Sequence, residues 1–458
     1  MVRRQTDSVW ILTDIDLHTV VKNSGGRSTF FGHPRGLFLL SFVEMWERFS
    51  FYGMRALLVV YMTASVLPDA SGHVHGFSIL TLFVSTSDPV RSSSLLYGFY
   101  SGLVYLTPIF GGLLADRILG KRVTIILGGI LIAAGHMLLT VKPWFLLALL
   151  LIVVGTGGLK GNIAAQVGDL YALDDSRRER GFSIYYLAIN IGAAVSPLVC
   201  MVLVQHWGWE IAFDATTVGM FIGLVTYMLG SYALPAANSV GIEKTVEAKS
   251  SSKNSFFILF FIAVSAIFLW VSYEQQANAL VRWTSVSSND IGMAWLQAIP
   301  PLIVLVGTPI LTHLWSKQAR HGNEPDALKK LLIGACIITA AQSFLVVIAG
   351  VLPATAPASW IMALYLMVWE IGDLFFCPAA LGLFSRLAPR GFEGLTMALW
   401  YVTFFFGNLA SGWIGTLWGT FSPVTYWLMI ASCTALGVLG ITMLRKSSFL
   451  MRNSLLLS

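Results

Sequence analysis

The chain has 458 residues, of which 56% are hydrophobic and only 11% are charged, and its mean hydropathy is +0.74. A soluble protein of this length needs a far more polar surface, whereas helices that face lipid do not, so the composition excludes a soluble protein and predicts a polytopic membrane protein. The net charge of +6 reflects the side of the membrane on which Lys and Arg lie, and it does not indicate a nucleic-acid partner.

Residues 1–35 lack the apolar core and the small-residue cleavage site of a secretory signal, and they predict a polar cytoplasmic tail. Twelve apolar segments follow, each long enough to cross about 30 Å of hydrocarbon. We predict an N-terminal six-helix bundle over 36–233, a serine-rich cytoplasmic linker over 234–255, a C-terminal six-helix bundle over 256–445 and a cytoplasmic tail over 446–458. The predicted spans lie near 36–66, 95–115, 122–141, 143–167, 181–205, 211–233, 256–275, 291–315, 328–351, 357–385, 392–418 and 424–444.

The distribution of Lys and Arg tests this span count independently, because cytoplasmic loops carry an excess of both residues. With both termini inside, all but six of the 29 Lys and Arg residues lie in cytoplasmic segments. The outer loops hold only Arg91, Lys142 and Arg282, and the other three lie within spans. The alternation supports twelve spans, and the polar linker divides them into two six-span halves. Parallel halves of this kind are the arrangement from which alternating-access carriers are built, although a channel or a membrane enzyme could also have twelve spans.

The first span carries a polar stripe inside an apolar segment. Glu44, Arg48, Tyr52 and Arg55 are spaced four, four and three residues apart, so they share one face of a helix, and Glu47 lies beside them. A charge at mid-bilayer costs roughly 2.5 to 3.5 kcal/mol, so such groups persist when they are paired or face a watery path. A carboxylate beside an arginine is a proton-linked switch, because protonation releases the arginine. The alternative is a neutralised set that only packs the helix against its neighbours.

Lys160 lies within the fourth span, about nine residues from Asp169, where that span ends. This separation is roughly 13 Å along a helix. The long side chain could extend to the cytoplasmic surface, which is the alternative to a functional cation. The depth of the residue favours a function.

The four cysteines lie within or at the edge of apolar spans, without the spacing of metal ligands or of a disulfide framework. We interpret them as buried, apolar thiols, and the sequence predicts no metal site. They are Cys200, Cys336, Cys377 and Cys433.

Several strings of residues resemble one family. Residues 32–62 contain an E-x-x-E-R signature, formed by Glu44, Glu47 and Arg48, and this segment resembles the proton-dependent oligopeptide transporter (POT) family of the major facilitator superfamily. The similarity extends over about residues 31–445. Four further segments resemble the same family: YGFYSGLVYLTPIFGGLLADRILGKR, GTGGLKGN, FSIYYLAINIGAAVSP and GDLFFCPAALGLFSRLAP. The resemblance implies an all-α membrane protein with the major facilitator fold of twelve transmembrane helices.

The resemblance also implies roles for individual residues. Glu44, Glu47 and Arg48, together with Glu274, are implied to couple transport to protons, and Glu274 is implied to pair with Arg55 as an outer gate. The residues implied to bind substrate are Tyr52, Arg55, Tyr105, Lys160, Asn190, Asp373 and Trp400.

The loop between the second and third spans matches the signature of the wider superfamily. In that signature, acidic and basic groups can link helix ends, and glycine allows a tight turn. It indicates a carrier fold and gives no information about substrate. The matching residues are Gly112, Asp116, Arg117, Gly120, Lys121 and Arg122.

The chain departs from the family pattern at several positions. Gly161 stands where a proline usually follows the lysine, Phe51 stands where a second tyrosine is frequent, and Pro300 replaces an asparagine that contributes an amide. The linker between the halves is too short for the two extra helices that bacterial members commonly insert. These differences are expected to affect substrate range.

Span ten carries a further departure. Asp373 replaces the glutamate that holds the peptide amino group in resembling transporters, and its shorter arm is expected to change peptide length preference or weaken binding. Glu370, one helical turn earlier, is an added carboxylate. It is either functional, a partner of Arg386 or a helix-end charge.

The sequence therefore predicts a proton-coupled symporter that imports di- and tripeptides across the bacterial inner membrane, with both termini in the cytoplasm. We expect no enzymatic activity, no cofactor besides the coupling protons, and function as a monomer. Two alternatives remain open: a proton-coupled carrier of another small solute, such as an anion or amino-acid derivative, and a non-transporting membrane sensor.

Overall fold

The computed structural model describes residues 29–68, 73–78, 88–172, 175, 177–235, 253–284, 294–352, 357–388 and 393–450. The predictions for residues 1–28, for most of the linker and for the last residues of the C-terminal tail lie outside these ranges. The long helices in chain order are α1 Arg35–Tyr61, α2 Pro89–Leu114, α3 Lys121–Leu138, α4 Phe145–Asp169, α5 Arg178–Trp207, α6 Trp209–Gly230, α7 Lys253–Glu274, α8 Ile299–Arg320, α9 Ala327–Val351, α10 Ser359–Leu387, α11 Glu393–Gly415 and α12 Pro423–Leu450.

Among the described residues, eleven helical segments are long and apolar enough to cross a membrane, and α11 is the remaining member of the twelve. The predicted all-α fold is confirmed. A two-stranded hairpin, β1 Thr29–Phe30 and β2 His33–Pro34, precedes α1. It is fixed to the end of α4 by a 2.8 Å hydrogen bond between His33 Nδ1 and the Tyr171 hydroxyl.

Two helices begin more than five residues from their predicted starts. α2 begins at Pro89, not near 95, because the Asp88 side chain caps the helix by accepting a 2.9 Å hydrogen bond from the Val90 amide. α8 begins at Ile299, not near 291, after a 3₁₀ turn over Ala294–Ala298. Pro300 then lies in the first turn of α8, where its missing N–H costs no helical hydrogen bond.

Each half packs one pair of helices through glycine. A Cβ atom at Gly155 of α4 would lie 2.6 Å from the carbonyl oxygen of Gly128 of α3. In the other half, a Cβ atom at Gly334 of α9 would lie 2.6 Å from the carbonyl oxygen of Gly372 of α10. In both places only glycine allows the two backbones to approach this closely, as is common between helices in membranes.

The helices alternate in direction, so α1 begins at the same end of the molecule at which α12 ends. We call this the terminal end, and we call the other the opposite end. Near the opposite end, α2 of the N-terminal half crosses α11 of the C-terminal half, where a Cβ atom at Gly98 would lie 2.6 Å from Gly412 Cα. α5 and α8 form a second seam between the halves.

The alternation of helices predicts which loops share a side of the membrane. Lys142 at the opposite end and Asn323 at the terminal end are both exposed. In a chain without native cysteines, Lys142→Cys should react with an impermeant maleimide added outside intact cells, and Asn323→Cys should react only after permeabilisation. Labelling of Asn323→Cys in intact cells would contradict the predicted orientation.

Candidate functional site

The polar stripe of α1 forms a compact charge cluster in the N-terminal half. Arg48 Nε lies 3.2 Å from Glu44 Oε1 and 2.5 Å from Glu47 Oε2, and all three residues are buried, with at most 4% of their surface exposed. Within the described part of the chain, Glu44 Oε2 and Arg48 Nη2 have no hydrogen-bond partner. Two carboxylates thus compete for one guanidinium, and a proton on either would change the pairing.

A second buried charge pair joins the two halves. Arg55 Nη2 of α1 lies 3.1 Å from Glu274 Oε2 at the end of α7. Tyr97 of α2 links them: its hydroxyl accepts a 2.9 Å hydrogen bond from Arg55 Nε and donates one of 2.9 Å to Glu274 Oε2. Arg55 also donates to the Tyr273 hydroxyl over 3.3 Å. These are the partners that the resemblance implies, and their role as a gate stays a prediction.

Further polar contacts close the opposite end beyond this pair. Ser94 of α2 donates a 3.2 Å hydrogen bond to Asn278. Arg282, from the short helix Ala279–Thr284 that follows α7, donates to the hydroxyls of Ser93 and Ser94 over 2.6 Å each. Together with the crossing of α2 and α11, these contacts bring the two halves together at the opposite end.

Toward the terminal end, the halves leave polar side chains exposed. Tyr186 of α5 is 48% exposed and lies within electrostatic reach of Glu370 and Asp373 in the other half. Tyr401 of α11 is 36% exposed and lies within reach of Arg48 across the same gap. We interpret the space between the halves as a cleft that is closed at the opposite end.

Lys160 of α4 borders this cleft. Its Nζ lies 4.3 Å above the centroid of the Tyr105 ring, which stacks on Phe404 of α11 at 4.7 Å. Phe404 in turn stacks on Trp270 of α7 at 4.1 Å. In the described ranges no carboxylate oxygen lies within 4 Å of Lys160 Nζ, although Glu44 and Glu47 of the charge cluster lie within electrostatic reach. Asp169 pairs with Lys121 instead. The ammonium is held by an aromatic face and is available to an anion.

The position of Lys160 depends on how closely α2 and α4 approach. A Cβ atom at Gly111 would overlap the backbone carbonyl of Gly157, so these helices touch there. α4 continues through Gly161, where an added Cβ atom would meet only Pro108 at 4.0 Å. The missing proline therefore leaves a continuous helix.

The carboxylates of α10 lie on the other half. Glu370 is buried, Asp373 is half-buried, and Glu370 Oε2 and Asp373 Oδ1 have no hydrogen-bond partner among the residues described. No ion pair joins Glu370 to Arg386 in the same ranges. Arg386 is exposed near the end of α10, where it lines a separate cavity of about 400 Å³ with Trp315 and others.

The remaining candidate ligands differ in position. Tyr52 is half-buried beside Arg55, whose guanidinium carbon lies 5.9 Å from the Tyr52 ring centroid. Asn190 is buried, and its side-chain amide donates a 2.9 Å hydrogen bond to the backbone carbonyl of Tyr186. Trp400 is 3% exposed and packs among aromatic rings of the C-terminal half, so in this conformation it supports the cleft wall from behind.

The loop motif joins helix ends at the terminal end. Gly120 has φ +76°, a conformation that favours glycine, between the end of the second span and α3. Lys121 Nζ lies 2.7 Å from Asp169 at the end of α4, and Arg122 donates to the Ser231 carbonyl after α6.

The other members of the motif take no part in these links. Asp116 and Arg117 are exposed, and within the described ranges neither forms an ion pair. At Gly112 of α2, an added Cβ atom would have no described atom within 4 Å, so this glycine does not mark a close helix contact.

Sequence reasoning missed three residues that organise the site. Tyr97 bridges the charge pair, Tyr273 accepts from Arg55, and Phe404 links Tyr105 to the C-terminal half. Tyr97 stands in a string that resembles the family, eight residues before Tyr105, and this was the available signal. No local pattern distinguishes Phe404 from the other apolar residues of α11.

Comparisons with known proteins show which family the chain resembles. The sequence profile of the POT family matches residues 122–239 and 233–428. The uncharacterized transporter YclF of Bacillus subtilis (strain 168) is 30% identical, with 86% of this chain and 89% of the relative covered. A di-/tripeptide transporter of Lactococcus lactis subsp. cremoris is 31% identical, with 82% and 88% covered.

The fold is shared with solved structures. The crystal structure of a POT family transporter in complex with 5-aminolevulinic acid superposes with a TM-score of 0.80 at 24% identity, covering 92% of this chain and 98% of that one. The matched profile extends over both halves of the chain and includes Lys160, Glu274 and Asp373. The chain therefore belongs to the POT family of membrane transporters.

Proposed function

We propose that the protein is a proton-coupled symporter that imports di- and tripeptides by alternating access. One observation carries this proposal: Lys160, on one half of the cleft, has no carboxylate oxygen within 4 Å, and Glu370 and Asp373, on the other half, have no cationic nitrogen within 4 Å. These statements refer to the described residues. A peptide has a carboxylate at one end and an ammonium at the other, so it would complete both sites.

Short peptides suit such a divided site. Each residue adds at most about 3.3 to 3.6 Å between the two charged ends, so the length of the peptide determines whether both ends are reached together. A peptide bound in this way links the two halves, and its binding energy supports closure of the cleft. A di-/tripeptide transporter among the relatives supports the same substrate class.

The charge cluster of α1 supports proton coupling. With both Glu44 and Glu47 ionised, Arg48 is held between them. Protonation of Glu47 removes one of these attractions and frees the guanidinium to move. Because the cluster is buried, each rearrangement changes the energy of the helix contacts around it.

The pair between Arg55 and Glu274 supports a gate at the opposite end. Opening that end requires the two halves to separate there, which breaks this pair and exposes both groups to water. Protonation of Glu274 would lower the cost, since a neutral acid binds Arg55 more weakly. A proton entering from that side would therefore favour opening.

The proposed setting is the bacterial inner membrane, with the terminal end in the cytoplasm. The cleft described above then opens inward. The proposal requires protons as the coupling ion and no other cofactor, and a single chain contains the whole pathway, so a monomer suffices. Proteins of this family are transporters, and we propose no enzymatic activity.

Transport tests the proposal directly. Purified protein in liposomes should accumulate labelled dialanine when the outside is acidic, and unlabelled dipeptides should compete far better than free alanine. If the gradient drives an anion or an amino-acid derivative while dipeptides neither move nor compete, the protein is a carrier of another solute. If no solute moves, a sensor is the better description.

Glu47→Gln should separate coupling from substrate exchange. The amide keeps the shape of the side chain but cannot take up a proton, so gradient-driven uptake of dialanine should be lost while exchange of labelled for unlabelled dialanine continues. Glu210→Gln, which removes an exposed carboxylate at the start of α6, is the matched control and should leave both unchanged. Equal loss of uptake and exchange in Glu47→Gln would contradict a coupling role.

Lys160→Ala should weaken binding of the peptide carboxylate. A hydrogen bond to a charged group contributes about 1.5 to 3 kcal/mol, so affinity for dialanine should fall about tenfold or more. Affinity for dialanine amide, which has no carboxylate, should change little. Lys142→Ala is the control for loss of an exposed lysine. A parallel fall for both ligands would show that Lys160 acts on the protein structure instead.

A further inference from the structure

One face of α10 carries a stripe of three titratable side chains. Glu370, Asp373 and Cys377 are spaced three and four residues apart and so share this face. The residues between them point elsewhere: Gly372 packs on α9, and Leu374 reaches Gly307 of α8. All three residues of the stripe lie within electrostatic reach of Tyr186 of the other half.

The two carboxylates of this stripe have neither a full set of hydrogen bonds nor a neighbouring cation among the described residues. Glu370 is 4% exposed, and its Oε2 atom has no hydrogen-bond partner in the described part of the chain; the same is true of Asp373 Oδ1. No Lys or Arg nitrogen described by the structure lies within 4 Å of either carboxylate. The other titratable groups within electrostatic reach are Tyr273 of α7, Tyr186 of α5 and Cys377 of α10, and none is a cation.

Two neighbouring carboxylates in such a place do not ionise independently. Burial penalises each charge, and the second negative charge is repelled by the first. The protons therefore leave in steps that belong to the pair. The fully ionised pair would be favoured only when a cation comes between the two side chains.

We propose that Glu370 and Asp373 share a proton in the empty cleft and that the ammonium of the substrate displaces it. The ammonium brings one positive charge to the pair, and the released proton passes to water in the cleft, so the charge at the site is conserved. Glu370 is thereby a specificity-determining residue that favours substrates with a free amine. This inference rests on the proposed function, since it requires a substrate with an ammonium group.

Proton release on binding is the direct test. The purified full-length protein is mixed with dialanine in weakly buffered solution, and a pH-sensitive dye reports the protons released per ligand bound. The ligand control is N-acetyl-dialanine, which has the carboxylate but no ammonium. We expect about one proton released with dialanine from this pair and none with the acetylated ligand.

Glu370→Gln assigns the released proton to the pair. With one carboxylate gone, Asp373 has no like-charged neighbour, so the release should fall at least twofold, and dialanine affinity should depend less on pH. Glu324→Gln, which removes an exposed carboxylate outside the spans, is the matched control and should behave as wild type. Equal proton release from Glu370→Gln and wild type overturns the inference.

A measurement on the wild type keeps the test valid if the variant does not fold. Infrared difference spectra should show the loss of a protonated-carboxyl band when dialanine binds and no such loss with N-acetyl-dialanine. Identical spectra for the two ligands overturn the inference. If dialanine does not bind at all, the proposed function is contradicted as well. If dialanine binds without the spectral difference, only this inference is contradicted.

Discussion

The cost of burying charge in an apolar bundle governs the arrangement of this protein. Arg48 is held between Glu44 and Glu47, and Arg55 is paired with Glu274 across the two halves. Removing one partner from such a pair leaves an uncompensated buried charge, which is expensive. Each buried charge is therefore stable only when it is paired with its partner or hydrated. A conformational change that separates a pair must let water reach both groups.

Glycine makes these charge contacts geometrically possible. Close approach at Gly111 and Gly157 brings α2 against α4, and this places the Tyr105 ring beside Lys160. The close crossing at Gly98 and Gly412 brings the two halves together near Tyr97, which bridges Arg55 and Glu274. Helix packing through small residues thus determines which polar groups meet, because lipid supplies no hydrophobic force between helices.

An aromatic stack connects Lys160 of the N-terminal half to the core of the C-terminal half. Lys160 rests on Tyr105, and the stack continues through Phe404 to Trp270. An anion that draws Lys160 away would remove a cation from one end of this stack, while the other end lies in the core of the C-terminal half. Tyr105 of the N-terminal half and Phe404 of the C-terminal half are in direct contact in this stack.

The sequence by itself determined the fold class, the number of helices and the charged residues of interest. These properties follow from local patterns: apolar length predicts a span, and the four-residue spacing of Glu44 and Arg48 places them on one face. Even so, the starts of α2 and α8 were misplaced, because a cap at Asp88 and a 3₁₀ turn before Ile299 are details of backbone geometry.

Only the tertiary structure decided which groups are paired and which are not. The sequence left open whether Glu370 pairs with Arg386 and whether Lys160 extends to the surface. The structure places Arg386 in a separate cavity and Lys160 over Tyr105. The physical reason is that a pairing depends on distances between residues far apart in the chain, such as Arg55 and Glu274. Those distances are set by the way the helices cross, and the spacing of residues within one segment does not predict these crossings.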